Sequence, residues 1–149
     1  MSNPKNEGPL KVLIADDMAT MRERLAEMLS QIEGLEIVAQ AGTGSEASGA
    51  IQLLRPDLVI LDIQMPDGNG IDVLREAKQS YPDTVVVMLT NHPYSQYRKK
   101  CAELGADYFL GKTTDSKLLI AIAEHLATAR GVDNDNQKEV PPIDEAESK

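Results

Sequence analysis

Five short apolar runs punctuate the chain: residues 11–15 (KVLIA), 35–39 (LEIVA), 57–61 (DLVIL), 84–89 (TVVVML) and 107–110 (DYFL). Each is brief, bounded by turn residues and mostly β-branched, the pattern expected of strands. Three are continuously apolar, which predicts strands covered on both faces of a parallel sheet. The segments between them repeat at helical spacing. Met21, Leu25, Met28, Leu29 and Ile32 share one helix face, with Gly34 as the stop. Ala47, Ala50, Ile51 and Leu54 repeat the pattern more weakly, up to Pro56. Ile71, Leu74 and Ala77 mark a third helix, and Tyr97, Cys101 and Leu104 a fourth, closed by Gly105. Leu119, Ile122, Ala123 and Leu126 mark a fifth, with Thr114 or Asp115 placed to cap its start.

A strand followed by a helix, five times over, predicts an α/β fold of (βα)5 type. Right-handed crossovers wind such a chain into a doubly wound five-stranded parallel sheet with helices on both faces. Ligands bind this architecture beyond the carboxyl ends of the strands. The first, third, fourth and fifth runs are followed there by Asp16 and Asp17, Asp62, Thr90 and Lys112 respectively.

Composition narrows the functions such a site can serve. With 42% hydrophobic and 26% charged residues the chain is globular in character. The excess of 24 acidic over 15 basic residues, a net charge of −9, argues against nonspecific nucleic-acid binding and against an anionic membrane surface. No apolar run is long enough to span a membrane, and the polar start of the chain does not read as a signal peptide. A single cysteine, Cys101, excludes an internal disulfide and fits a reducing cytoplasm.

Three carboxylates gathered at one sheet edge repel one another and call for a cation. Oxygen ligands favour a hard ion, and Mg2+ suits a partly hydrated site; no His/Cys set at zinc spacing competes. A carboxylate beside Mg2+, a lysine and a hydroxyl is suited to attack phosphorus, and Asp62, alone at the end of a central strand, is the natural nucleophile. Singly, each residue also has a plain structural role. Asp16 and Asp17 suit a helix start, Asp62 turn chemistry, Thr90 a cap and Lys112 a solvated surface. Their joint occurrence at four strand ends favours chemistry.

The segments KVLIADD, PDLVILDIQMPDGNG, VVVMLT and GADYFLGK together resemble the receiver domain of two-component response regulators, over about residues 10–130. The resemblance implies a flavodoxin-like fold. It also implies a phosphorylation switch, not an independent enzyme, that takes a phosphoryl group on Asp62 from a sensor histidine kinase or phosphotransfer protein. In this reading Asp16, Asp17, Asp62 and the backbone oxygen of Gln64 hold Mg2+. Thr90 and Lys112 contact the phosphoryl group, and Thr90 and Phe109 form the switch. Gln64 and His92 occupy positions that tune dephosphorylation in relatives. Thr113 stands where the family usually has proline, often after a cis bond.

Two other functions fit parts of the chain. Gly42, Gly44 and Ala47 (AGTGSEA) match a dinucleotide-binding fingerprint, with Asp62 about 20 residues on as a ribose ligand. The glycines, however, follow the second strand rather than the first. An aspartate-nucleophile hydrolase would carry a second acid where this chain has Gln64, and its carboxylate pair would come late in the chain. The favoured reading is a stand-alone receiver: a flexible lead over residues 1–9, a receiver over 10–130 and a disordered acidic tail over 131–149. Its output would be a downstream protein or a homodimer, reached through the surface of the fourth and fifth helices and the fifth strand, where Tyr94 and Tyr97 serve either contact or packing, with no nucleic-acid or membrane contact. A linker to a DNA-binding domain would look the same as the tail.

Overall fold

The computed structural model describes residues 8–66, 69–91 and 96–131. His92, Tyr94 and the acidic tail beyond residue 131 lie outside them. The elements alternate without exception: β1 (Leu10–Ala15), α1 (Ala19–Leu29), β2 (Leu35–Ala41), α2 (Gly44–Leu54), β3 (Leu58–Asp62), α3 (Gly70–Ser80), β4 (Val85–Thr90), α4 (Tyr97–Glu103), β5 (Tyr108–Gly111) and α5 (Ser116–Gly131). The strands form one parallel sheet in the order β2-β1-β3-β4-β5.

The alternation of side chains along each strand divides the core in two. Val12, Ile14, Leu58, Ile60, Val87, Leu89 and Leu110 face α1 and α5, where Leu25, Leu29, Leu119 and Ile122 meet them. Leu13, Val59, Leu61, Val86, Met88 and Phe109 face the opposite way, against Ile51 of α2, Leu74 of α3 and Cys101 of α4. Burial on both sides explains why β1, β3 and β4 read as unbroken apolar runs. β2, at the edge, is only partly covered.

Leu74 is fully buried at the centre of the second layer. Leu74→Ala is expected to cost about 2–5 kcal/mol, from lost burial and the cavity left behind, measurable by chemical denaturation.

Local chemistry sets the helix ends. Thr43 and Asn69 cap α2 and α3 by accepting the N–H of Glu46 and Asp72, at 3.1 and 3.0 Å. The first helix stops at Leu29, short of the apolar Ile32; Gly34, at φ +86°, turns the chain into β2. Arg55 ends α2 in the left-handed region at φ +49°.

Candidate functional site

Four strands bring the predicted side chains to one edge of the sheet. Asp62 is the last residue of β3 and Thr90 the last of β4. Asp16 follows β1 directly, and Lys112 follows β5. The register keeps these ends level: Asp62 pairs with Leu89, and Thr90 with Gly111. The N–H of Lys112 donates to the Thr90 carbonyl at 2.8 Å, extending the ladder by one bond past the strand.

The acidic groups converge. One carboxylate oxygen from each of Asp16, Asp17 and Asp62 lies within 4.8 Å of the others. Asp16 and Asp62 are buried, at 1% and 6% exposure, whereas Asp17 is exposed. Lys112 Nζ sits between the buried pair, 2.6 Å from Asp16 Oδ2 and 3.2 Å from Asp62 Oδ2. Thr90, 4% exposed, completes the edge.

Asp16 is fixed from several directions. Its N–H donates to Ala41 at 2.9 Å, and its Oδ1 accepts the N–H of Met18 at 2.9 Å. This short turn precedes α1, so the carboxylate does serve the helix start with one oxygen. The other, Oδ2, is buried and has the Lys112 ammonium, 2.6 Å away, as its partner. One ammonium shared between two buried carboxylates leaves negative charge uncompensated, which suits a further cation. The three carboxylates are therefore a chemically fitting set for a hard, oxygen-seeking metal ion.

The electrostatics follow from this crowding. Burial raises the Asp62 pKa above the ordinary 3.8, and the charge of Asp16 raises it further. Lys112 and the Gln64 N–H, which donates to Oδ1 at 3.3 Å, only partly oppose them. For Lys112, burial pulls the pKa down, but the two carboxylates outweigh it and the net direction is up. Lys112 stays charged and neutralises one of its two partners, leaving the site short of positive charge.

Phe109 lies inward, 5% exposed, among the core residues that include Met88 and Cys101. The Arg98 guanidinium stands 5.0 Å from its ring centroid. Tyr97 is half-buried against the same cluster. Cys101 is buried, and burial pushes its thiol pKa up to about 11, which makes it a core residue and a poor nucleophile.

Two structural facts bear on the departure at Thr113. The peptide bonds of the described residues are all trans, Lys112–Thr113 included. Asp115 closes the loop instead, its Oδ2 accepting the Gly111 N–H at 2.7 Å.

Gly70 is a site residue that periodicity does not reveal. Its N–H donates to the Ile63 carbonyl at 2.6 Å, and a Cβ here would fall on the Asp62 carbonyl oxygen. The loop after β3 thus returns onto the backbone of Asp62, a contact that only glycine permits.

The response regulator receiver domain profile matches residues 12–124. The chain belongs to this family. It is 41% identical over 124 residues to the transcriptional regulatory protein PdtaR of Mycobacterium tuberculosis, covering 82% of this chain and 58% of the relative. It is 31% identical over 144 residues to the transcriptional regulatory protein YhcZ of Bacillus subtilis, covering 87% and 67%. In structure, the receiver is similar to a chain of the CheX–CheY–BeF3–Mg2+ complex of Borrelia burgdorferi. That match has a TM-score of 0.70 and 31% identity, and it covers 78% of this chain and 89% of that one. The chain spans 31% to 67% of the length of the curated relatives it matches. Membership places the chain in two-component signalling, with the five-stranded receiver fold.

The dinucleotide reading of AGTGSEA finds no support. Those residues form a helix cap, in which the Gly42 N–H donates to Glu46 Oε1 at 2.8 Å and Thr43 accepts the Glu46 N–H. The segment follows edge strand β2, and β1 separates β2 from Asp62 on β3. Among the described residues, no helix is long and apolar enough to cross a membrane.

Proposed function

We propose that residues 10–130 act as a phosphorylation switch whose acceptor is Asp62. The phosphoryl donor is a phosphohistidine of a sensor histidine kinase or phosphotransfer protein. A carboxylate oxygen of Asp62 bonds to phosphorus, the phosphorus–nitrogen bond breaks, and the released imidazole takes up a proton. The carrying observation is the pocket itself: three carboxylates within 4.8 Å of one another, next to one buried lysine and one buried hydroxyl.

Each residue has a part in this reading. Asp16, Asp17, Asp62 and the Gln64 backbone oxygen would hold Mg2+, which offsets the charge of the transferring group. Lys112, already 3.2 Å from Asp62 Oδ2, pairs with a phosphoryl oxygen. Thr90, on the adjacent strand, donates its hydroxyl to another. Phe109 then responds to the shift of Thr90, which repacks the face of α4, β5 and α5. The output is a protein contact, with a downstream partner or a second copy, in a cytoplasmic setting. The net charge of −9 over the whole chain favours protein over nucleic acid as its partner.

Incubation with Mg2+ and acetyl phosphate tests the chemistry. A base-labile adduct of about 80 Da is expected on the wild type. Its absence from the wild type would overturn the proposal. Mg2+ alone is expected to raise the thermal midpoint, by the equivalent of about 2.7 kcal/mol at a concentration one hundred times Kd. Chelation should reverse that rise, and a midpoint indifferent to Mg2+ would count against the ligand set.

A further inference from the structure

Arg22 touches none of the acidic oxygens, yet it grips the backbone that carries two of them. Its Nη1 donates to the carbonyl oxygen of Asp16 at 2.6 Å. That carbonyl belongs to the peptide unit joining Asp16 to Asp17. The N–H and Oδ1 of Asp16 are held by Ala41 and Met18. The guanidinium therefore completes the fixation of Asp16 and sets the direction in which the chain leaves for Asp17. Because Asp17 is exposed, packing does little to hold it, and its place depends on that peptide unit.

Room for the guanidinium is made at Gly42. A Cβ there would lie 3.1 Å from Arg22 Nη1, closer than ordinary contact. The Glu46 carboxylate, which accepts the Gly42 N–H, fixes this turn from the other side. The glycine that mimics a nucleotide fingerprint has a different use here: it admits an arginine behind the acidic site.

We propose that Arg22 is a positioning residue, which clamps the Asp16 carbonyl so that Asp16 and Asp17 are set to bind Mg2+, with Gly42 admitting its side chain. This rests on reading the three aspartates as the Mg2+ site. Charge alone predicts the opposite sign. A guanidinium near a cation site repels the cation, so its removal would tighten Mg2+ binding. Loss of a clamp loosens it. The direction of change separates the two.

The experiment is calorimetric titration of the full chain with MgCl2, for the wild type, Arg22→Met, Arg22→Lys and Gly42→Ala. Thermal unfolding without metal checks that each variant folds. Arg22→Met is expected to raise the Mg2+ Kd about ten-fold, the scale at which groups orienting metal ligands act. Arg22→Lys keeps the charge but not the planar reach, and should fall between. Gly42→Ala should raise Kd in the same direction by less. An unchanged or lowered Kd in Arg22→Met overturns the assignment. Should Arg22→Met fail to fold, unchanged values in both Arg22→Lys and Gly42→Ala overturn it equally. A wild type that takes no Mg2+ sinks this assignment together with the metal site. A wild type that binds Mg2+ and is phosphorylated on Asp62, beside variants of unaltered Kd, sinks the role of Arg22 alone.

Discussion

Asp62→Asn is expected to lose the phosphoryl adduct completely and yet to unfold less readily than the wild type. The first effect follows from removing the proposed acceptor carboxylate. The second follows from the surroundings of the carboxylate. Burial and Asp16 both disfavour its charged form, and its pKa is raised above 3.8. A neutral amide of the same shape avoids that cost. Lys112 is not orphaned by the change, because Asp16 Oδ2 remains 2.6 Å away. The gain holds for the metal-free protein at neutral pH. It has a definite pH signature. A carboxyl group whose pKa is higher in the folded state favours folding while protonated, and that advantage disappears as pH rises through the folded pKa. Below pH 3.8 the Asp62 group is neutral in both states, and the two proteins should be alike. The gap should open as pH climbs through the raised value and then level off. Denaturant unfolding of both proteins across the acid range measures it. A variant less stable than the wild type at neutral pH would contradict the crowded-charge account.

Gly70→Ala is expected to lose both stability and labelling rate. The added methyl would meet the Asp62 carbonyl oxygen and lie 2.9 Å from the carbonyl carbon. These are backbone atoms of a central strand, so neither side can yield cheaply. The start of α3 must move, and with it the 2.6 Å bond from the Gly70 N–H to Ile63. A cost of about 3 kcal/mol or more is expected, at the upper end for overpacking. Below its melting midpoint the variant should also form the Asp62 adduct more slowly, since the backbone under the acceptor is displaced. Thermal unfolding together with timed acetyl phosphate labelling checks both. A variant that melts and labels like the wild type would refute the close approach.

The strands were legible because burial on two faces leaves β1, β3 and β4 apolar except for Lys11 near the start of β1 and Asp62 and Thr90 at the ends of β3 and β4. A helix between every pair of apolar runs then permits only one winding. The convergence of Asp16, Asp17, Asp62 and Lys112 was legible for the same reason: in a parallel sheet, the residue after each strand points to a common edge. What remained hidden depends on contacts between distant backbone segments. Nothing in the neighbours of Gly70 shows that Asp62 passes beneath it. Nothing in the sequence pattern marks Arg22, since its partner is a carbonyl rather than a charge. The AGTGSEA segment was ambiguous by nature. A helix start that caps itself and one that cradles phosphate draw on the same small residues; the Glu46 side chain bonding back to Gly42 and the Thr43 cap separate them.

The placement of the one irregularity in the sheet has a consequence for how this protein can vary. Pairing slips between Val12 and Leu13 where β1 meets β2, whereas β1–β3, β3–β4 and β4–β5 run in unbroken step. The strands that end at Asp62 and Thr90, or just before Asp16 and Lys112, are therefore successive rungs of one lattice, about 4.8 Å apart. The width of the reactive edge is inherited from that lattice and not tuned side chain by side chain. Insertions or altered bulges in β2 leave those spacings untouched, while a one-residue slip in any of the other three pairings would turn an acidic or hydroxyl group away from its neighbours.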